Sequence, residues 1–414
     1  MEPAAAIIHG FQGWAHDNLV PLNVSLEITL ACNIRCVHCY NFDRDLPLPG
    51  RAASAGAATA SASASASTDP DVATVTATAT TACTSGGAPS PELSTEELLQ
   101  LMGELREAGC LFLSLTGGEV LSHPDLFQFL DRARELNLAV QLLTNGTLLR
   151  PGMAKRLAAY SNLMGVSVSL YGASAGVHDG ITQVRGSFAR TWAGIERLRA
   201  AGVAVRLKFI LMRQNAHETQ AMMDSATSRD FPYLVDMTVT ARHDGTAGSL
   251  DAQISRDQLE QLSRGPLRPL LPAGRRTAPP PEQFNCNCAR GNCAISARGD
   301  VYPCISVPWP AGNIRTNSFR EIWRDSPVFQ RIRGLTLDDF KKCAPCPDRA
   351  YCGHDRGAAF NSTGDYTGAD PFVCASAEVA HALALEAELI PADALAPRPP
   401  AQALVSATEP ARPG

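Results

Sequence analysis

The chain has 414 residues, a hydrophobic fraction of 45% and a charged fraction of 19%, values typical of a globular protein with a large core. Its formal net charge of −5 gives no reason to expect a nucleic-acid partner. Neither a signal-peptide pattern nor a long apolar stretch is apparent, so we expect a cytoplasmic protein without a membrane partner. Thirteen cysteines then favour metal or redox chemistry over disulfides.

The first predicted strand covers residues 24–29, after an N-terminal segment at residues 1–21. It leads directly into a loop with three cysteines, "LACNIRCVHCYNF". A tract of Ala, Ser and Thr follows. We predict a disordered insertion at residues 51–90, because so few bulky apolar side chains cannot offset the entropy lost on ordering the chain. Cys83 lies in this tract and is not expected to bind a metal.

Strands and helices alternate after the insertion. Ser94 and Glu97 form a predicted capping box at the start of a leucine-striped helix, and "CLFLSLTGGE" then predicts a buried strand. The later predicted elements are, in chain order, helix 126–137, strand "LAVQLLTNG", helix 153–160, strand "MGVSVSLYG", helix 188–200, strand "VAVRLKFILM", helix 217–227 and strand "LVDMTVTA". This alternation predicts a parallel α/β fold whose strands are apolar enough to be buried on both faces.

The C-terminal third has a different composition. Residues 256–285 predict a short helix and then a linker rich in Pro and Arg. Cysteines cluster at residues 286–376 in short irregular segments, which predicts a small domain held together by metal. Residues 377–414 predict a last helix and then a disordered Pro/Ala-rich tail.

The cysteine loop lies where ligands bind in parallel α/β folds, at the carboxyl end of a strand. The motifs "TGGE", "TNGT" and "SLYG" follow the next three predicted strands and end at the same edge. Thiolates such as Cys32, Cys36 and Cys39 suit zinc or an iron–sulfur cluster. A structural zinc needs a fourth ligand, and His38 is directly beside Cys39, where two tetrahedral ligands are hard to place.

The spacing Cys-x3-Cys-x2-Cys, with "TGGE" one strand later, resembles the radical S-adenosylmethionine (SAM) superfamily. The resemblance implies a partial (β/α)6 barrel over residues 22–255. It implies that Cys32, Cys36 and Cys39 hold a catalytic 4Fe–4S cluster whose open iron binds the amino and carboxylate groups of SAM. No Ser-His-Asp triad, Walker loop or dinucleotide fingerprint suggests another chemistry.

Further SAM contacts follow from the same resemblance. Gly117 and Gly118 would let the backbone approach the SAM amino group, and Glu119 would neutralise it. Contacts to the SAM carboxylate or ribose are assigned to Asn145, Ser167 and Ser169. The alternative is that "TNGT" is an ordinary turn and that the serines bond to the backbone.

Two basic residues lie on the fifth predicted strand. Arg206 and Lys208 alternate there with apolar residues. They would either line the cavity or extend their charged ends to solvent, and the pattern does not choose between the two.

In the C-terminal region, Cys288 is followed by Gly299-x4-Cys304, then by Cys343-x2-Cys346-x5-Cys352 and a later Cys374. This pattern resembles the SPASM domain, an auxiliary-cluster extension of radical SAM enzymes. The resemblance implies two auxiliary 4Fe–4S clusters. Its ligands would be Cys288, Cys293 and Cys304 for the first cluster, and Cys343, Cys346, Cys352 and Cys374 for the second. Zinc is the alternative, because paired Cys-x2-Cys motifs are also common in zinc ribbons.

One position departs from the SPASM pattern. Arg356 stands where the pattern has a cysteine that helps to bind the first auxiliary cluster. Cys286, Asp355 or His354 would supply the missing ligand, or one iron stays open to substrate. Cys286 and the open iron are favoured equally.

The resemblance implies that the reduced cluster cleaves SAM and that the resulting 5′-deoxyadenosyl radical abstracts hydrogen from the substrate. The leading expectation is maturation of a ribosomally made peptide or protein by a cross-link, thioether or other oxidation. It would need a reductant such as flavodoxin or ferredoxin, and either a separate leader-peptide recognition protein or none. Haem-type tetrapyrrole modification and a non-catalytic zinc or electron-transfer protein are the alternatives. Asp236, Asp244 and Asp300 are candidate bases that nothing distinguishes from surface carboxylates.

Overall fold

In a computed structural model of the protein, the described residues are 3–41, 91–271, 274, 276, 278 and 286–388. The predicted insertion, with Cys83, and the predicted C-terminal tail lie outside the described residues. In the described part of the chain, no helix is both long enough and apolar enough to cross a membrane.

A parallel sheet of six strands forms the centre of the fold, as the sequence predicts. The strands are β1 (Asn23–Thr29), β2 (Phe112–Gly117), β3 (Ala139–Thr144), β4 (Leu163–Ser169), β5 (Val205–Ile210) and β6 (Tyr233–Asp236). The helices of this part are α1 (Pro3–Asp17), α2 (Thr95–Glu107), α3 (Leu126–Glu135), α4 (Pro151–Ala158), α5 (Ala175–Thr182), α6 (Ser187–Ala200) and α7 (Thr219–Thr227). Helices α1 and α5 have no counterpart among the predicted elements.

The cysteine-rich region continues the same sheet. Its elements are α8 (Arg256–Arg264), β7 (Asn292–Ile295), β8 (Asp300–Tyr302), β9 (Gly312–Asn313), α9 (Phe319–Asp325), α10 (Pro327–Gly334), α11 (Arg356–Thr363) and α12 (Pro371–Glu388). Strand β7 pairs in parallel with β1, starting from Asn23 opposite Asn292, and β8 and β9 follow in antiparallel order. The predicted domain boundaries stay a prediction, and the sheet runs on from the barrel into β7.

The two faces of the parallel sheet differ in polarity. Alternate residues of each strand, such as Leu26 and Leu115, join the main apolar core. The other residues form rows on the inner face, where Ser25 pairs in register with Ser114 and Ser114 with Gln141. The expectation that the strands are buried in apolar surroundings on both faces is therefore wrong for the inner face.

One ion pair joins α2 to the loop that follows β9. Arg315 Nε donates to Glu97 Oε1 over 2.6 Å, and Arg315 Nη2 donates to Glu97 Oε2 over 2.9 Å. Glu97 also completes the predicted capping box, because its carboxylate accepts from the Ser94 amide over 2.7 Å. These hydrogen bonds lower the pKa of Glu97 from 4.5 to about 2, and the bond from Arg315 contributes most.

We expect Glu97→Gln to lower the free energy of unfolding by about 1 kcal/mol at pH 7, since a bidentate but partly exposed pair contributes about that much. A carboxylate whose pKa falls on folding stabilises the protein above its unfolded pKa. The difference in the free energy of unfolding between the wild type and Glu97→Gln should therefore become smaller below pH 4.5 and vanish toward pH 2. Urea denaturation at pH 7 and at acidic pH measures it.

Glu96→Gln is the matched control, because it removes an exposed carboxylate from the same first turn. Equal losses of stability in the Glu97 and Glu96 variants would contradict the role of Arg315.

Candidate active site

The three-cysteine loop continues from β1, and hydrogen bonds fix its path. The amide of Val37 donates to the carbonyl of Ile181, near the end of α5, over 3.1 Å. Cys36 and Val37 also pack against a small apolar cluster that contains Ile181 and Tyr171. The thiols of the loop are partly exposed: Cys32, Cys36 and Cys39. Helix α5 therefore contacts the cysteine loop and helps to fix its position.

The three thiols of this loop are a donor set that an iron–sulfur cluster uses. Among the described residues, no three His, Cys, Asp or Glu side chains converge closely enough to hold one metal ion. A 4Fe–4S cluster instead binds each thiolate through a different iron, so its ligands stand farther apart. Near the thiols, His38 Nδ1 and Asn41 Nδ2 are buried without a hydrogen-bond partner among the described atoms. The ligand roles of the three cysteines stay a prediction that this donor set fits.

The "TGGE" turn holds the ends of β1 and β2 together. The amide of Gly118 donates to the Thr29 carbonyl over 2.7 Å, and the amide of Glu119 donates to the Ala31 carbonyl over 2.8 Å. A Cβ atom at Gly117 would overlap the carbonyl oxygen of Thr29, and one at Gly118 would overlap that of Ala31. Gly117 also has a φ of +124°. Both positions need glycine because the two backbones approach so closely.

Glu119 connects the ends of two strands through its side chain. Its carboxylate is 1% exposed and accepts from the Thr144 hydroxyl over 2.6 Å and from the Asn145 amide over 2.8 Å. The Leu121 amide donates to it over 2.9 Å. Burial raises the pKa of Glu119, and these three hydrogen bonds oppose the shift. The structure gives Glu119 a role in joining β2 to β3, and its contact with the SAM amino group stays a prediction.

The other predicted SAM contacts lie at the same edge of the sheet. The Asn145 side chain accepts from the Thr147 amide over 2.9 Å and donates to Asn33 of the cysteine loop over 3.0 Å. Ser167 accepts from Gln141 Nε2 over 2.8 Å. Asn145 therefore fixes the loop against the turn after β3, and the SAM contacts of Asn145 and Ser167 stay predictions.

Three residues beside the cysteine loop were missed by the sequence reasoning. The buried Tyr171 hydroxyl forms hydrogen bonds with Ser169 and Cys36, and burial raises its pKa well above the usual value. Tyr40 donates to Oε1 of Glu27 over 2.9 Å, and Glu27 is 2% exposed. Glu27 could have been recognised from the sequence, because it lies between apolar residues of a predicted strand, where a charged side chain needs a partner.

A charged pair lies on the inner face of the sheet. Lys208 Nζ is 3.6 Å from Asp236 Oδ2, and both side chains are partly buried. Burial, and then the positive charge of Lys208, lower the pKa of His38 to about 3, so this ring is neutral at physiological pH. Lys208 therefore lines the inner face, as does Asp236. The candidate bases Asp244 and Asp300 instead accept local hydrogen bonds in a turn and between β8 and β9.

The first auxiliary group contains a cysteine outside the family pattern. The Cys288 thiol forms hydrogen bonds with both Cys286 and Cys304. The bond from Cys288 is the main cause that lowers the pKa of Cys286 to about 7. Cys293 is 2% exposed, and burial raises the pKa of its thiol. Among the neighbouring thiols, Cys110 contributes more to this increase than Cys304 does. The structure thus brings Cys286 into direct contact with one predicted ligand, Cys288, which in turn lies beside a second, Cys304.

The four cysteines predicted as ligands of the second auxiliary cluster are neighbours in the structure, and their ligand roles stay a prediction. The group consists of Cys343, Cys346, Cys352 and Cys374. Burial is the largest cause that raises the pKa of Cys352 and of Cys374, and the neighbouring thiols of the group raise both further. The amide of His354 donates to Cys352 Sγ over 3.4 Å. Asp355 caps α11, since its carboxylate accepts from the Ala358 amide over 3.0 Å. The Asp355 carboxylate therefore has a local role as a helix cap, whereas the bond from His354 to Cys352 involves only the backbone amide of His354. Ligation by the His354 imidazole and an open iron stay predictions.

Comparison with known proteins gives matches along most of the chain. Residues 26–226 match the radical SAM superfamily, and residues 286–348 match the SPASM iron–sulfur cluster-binding domain. The AdoMet-dependent heme synthase of Methanosarcina barkeri is 29% identical over 378 residues, which cover 85% of this chain and 96% of that protein. The mycofactocin maturase MftC of Mycobacterium ulcerans is 26% identical over 339 residues, which cover 77% of this chain and 78% of that protein.

A solved structure has the same fold. Streptococcus suis SuiB bound to precursor peptide SuiA aligns with a TM-score of 0.59 at 16% identity, over 90% of this chain and 80% of SuiB. The two family matches together take in more than half of the 414 residues and include the three-cysteine loop and the first auxiliary group. The chain therefore belongs to the radical SAM superfamily, as an enzyme with a SPASM domain whose cofactors are SAM, a 4Fe–4S cluster and auxiliary iron–sulfur clusters.

Proposed function

We propose that this enzyme oxidises a peptide or protein bound against the inner face of the sheet. The observation that carries the proposal is the polarity of that face. Rows of serine and glutamine cross it in register, and Lys208 and Asp236 add one charge of each sign. A peptide presents amide donors and acceptors at short intervals together with side chains of either charge. Such a face can match these groups with hydrogen bonds and ion pairs.

The residues around the cysteine loop have distinct roles in this proposal. Cys32, Cys36 and Cys39 hold the catalytic cluster, and the turn of Gly117 and Gly118 keeps the backbone close to it. When bound, SAM and this cluster supply the hydrogen-atom abstraction. The buried tyrosines and histidine beside the loop exclude water from the space in which that reaction occurs.

The cysteines of the two auxiliary groups would hold iron–sulfur clusters, which would supply an acceptor for the electron that an oxidised substrate releases. We assign Cys286 to the first cluster in place of the family cysteine, together with Cys288, Cys293 and Cys304. A flavodoxin or ferredoxin would reduce the catalytic cluster in the cytoplasm, and a separate protein would recognise the leader peptide.

Tetrapyrrole chemistry is the second candidate function. The Methanosarcina heme synthase supports it, because the similarity extends along nearly the whole length of that protein. The polar inner face favours the peptide, because its rows of serine and glutamine offer hydrogen bonds at the short intervals at which backbone amides recur.

Parallel assays separate the two substrate classes. The enzyme is co-expressed with the small open reading frames beside its gene, and the peptides are analysed by mass spectrometry. Reconstituted enzyme is also incubated anaerobically with SAM, reductant and porphyrin precursors of haem. The peptide proposal predicts a loss of hydrogens in pairs from one peptide. Haem formation with unmodified peptides would contradict it and support the second candidate.

A further inference from the structure

A tyrosine lies against the first auxiliary group. The Tyr366 hydroxyl is 3.2 Å from Cys286 Sγ, and Tyr366 is 3% exposed. Since a buried phenol needs a hydrogen-bond partner and an iron-bound thiolate only accepts, the hydroxyl is the donor of this contact.

The backbone around Tyr366 is fixed by its neighbours in sequence. Helix α11 ends at Thr363 and is capped by Gly364, which has a φ of +72°. The Asp365 carboxylate accepts from the Thr367 amide over 2.9 Å, and the Asp365 amide donates to Thr363 Oγ1 over 3.1 Å. This turn has its own hydrogen bonds, so the direction of Tyr366 does not depend on the thiol that it contacts.

Arg356 ties this turn to the start of α11. Its guanidinium donates to the Gly368 carbonyl over 3.2 Å and to the His354 carbonyl over 3.1 Å. The side chain is 3% exposed and lies over the Phe340 ring, with 5.0 Å between the guanidinium carbon and the ring centroid. The residue that replaces the family cysteine therefore holds in place the turn that carries Tyr366.

We propose that Tyr366 sets the reduction potential of the first auxiliary cluster by donating a hydrogen bond to the thiolate of Cys286. This inference rests on the proposed role of Cys286 as a cluster ligand. A donor to a ligating sulfur stabilises the more electron-rich, reduced state of a cluster, and the reduction potential rises. The effect makes this cluster a better acceptor for an electron that leaves the substrate.

The test uses the full-length, reconstituted enzyme with Tyr366→Phe, which keeps the ring and removes the hydroxyl. We expect iron and sulfide per chain to match the wild type. In a redox titration followed by electron paramagnetic resonance, the potential of one auxiliary cluster should shift to a more negative value while that of the other stays. Tyr233→Phe, in β6, is the control for the loss of a phenol hydroxyl and should shift neither.

Each other outcome overturns a defined part of the inference. Full iron content with unchanged potentials in Tyr366→Phe would exclude the tuning role. Loss of the iron of one cluster in Tyr366→Phe would show that the residue holds the cluster rather than tunes it. An unchanged first cluster in Cys286→Ala would remove the ligand on which the inference rests, whatever Tyr366→Phe shows.

Discussion

The Cys36→Ser variant is expected to lose the iron of one 4Fe–4S cluster per chain and to cleave SAM only at the background level. A hydroxyl is a far weaker iron ligand than a thiolate. The loop itself should persist, because Val37 is held by the carbonyl of Ile181 and not by any thiol. Iron analysis and the spectrum of the reduced protein should show the auxiliary clusters retained and the SAM-responsive cluster absent.

Cys110→Ala is the matched control for the loss of a thiol. Cys110 is fully buried, and burial raises its pKa to about 12, so its thiol stays protonated. The variant should lose about 1–2 kcal/mol of stability from the small cavity and keep its full iron content. Cys36→Ser that retains all of its iron and cleaves SAM at the wild-type rate would contradict the assignment of the catalytic cluster.

Gly118→Ala should destabilise the protein strongly. Its Cβ would overlap the carbonyl oxygen of Ala31 and lie 2.6 Å from that of Leu30. Backbone atoms cannot move aside as a flexible side chain does, so the ends of β1 and β2 must separate. We expect a loss of about 3 kcal/mol or more, together with a lower occupancy of the catalytic cluster. Thermal unfolding and iron content measure both effects.

Gly152→Ala provides the comparison within one chain. Gly152 lies in the first turn of α4, and a Cβ there has no neighbouring atom within 4 Å. Alanine has the higher helix propensity, so this variant should be neutral or more stable by up to about 1 kcal/mol. An unfolding midpoint for Gly118→Ala equal to that of the wild type would contradict the close contact between the loop and the "TGGE" turn.

The parallel fold was predictable because its signals are local. The capping box of Ser94 and Glu97 is present, and each predicted strand of the barrel corresponds to one in the structure. The polarity of the inner face was misjudged, although alternation of the kind seen in "VRLKFI" was visible in the sequence. Strands between two helix layers are apolar on both faces, whereas strands of a barrel that encloses a polar substrate need be apolar only on the outer face.

The details of the first auxiliary group could not be predicted from the sequence. Its departure from the family pattern at Arg356 was visible, but the contact between Tyr366 and Cys286 joins residues separated by 80 positions. Only the folded chain shows that Arg356 anchors the turn on which Tyr366 lies. Helix α5 was missed for a related reason, because two glycines make its local helix propensity weak.

The central claim is that this chain performs radical SAM chemistry with a cluster in the loop after β1. The most direct test incubates fully reconstituted enzyme anaerobically with SAM and dithionite and measures the products by liquid chromatography. We expect methionine and 5′-deoxyadenosine in equal amounts from the wild type and neither above background from Cys36→Ser. A wild-type protein with its full complement of iron that leaves SAM intact would contradict it.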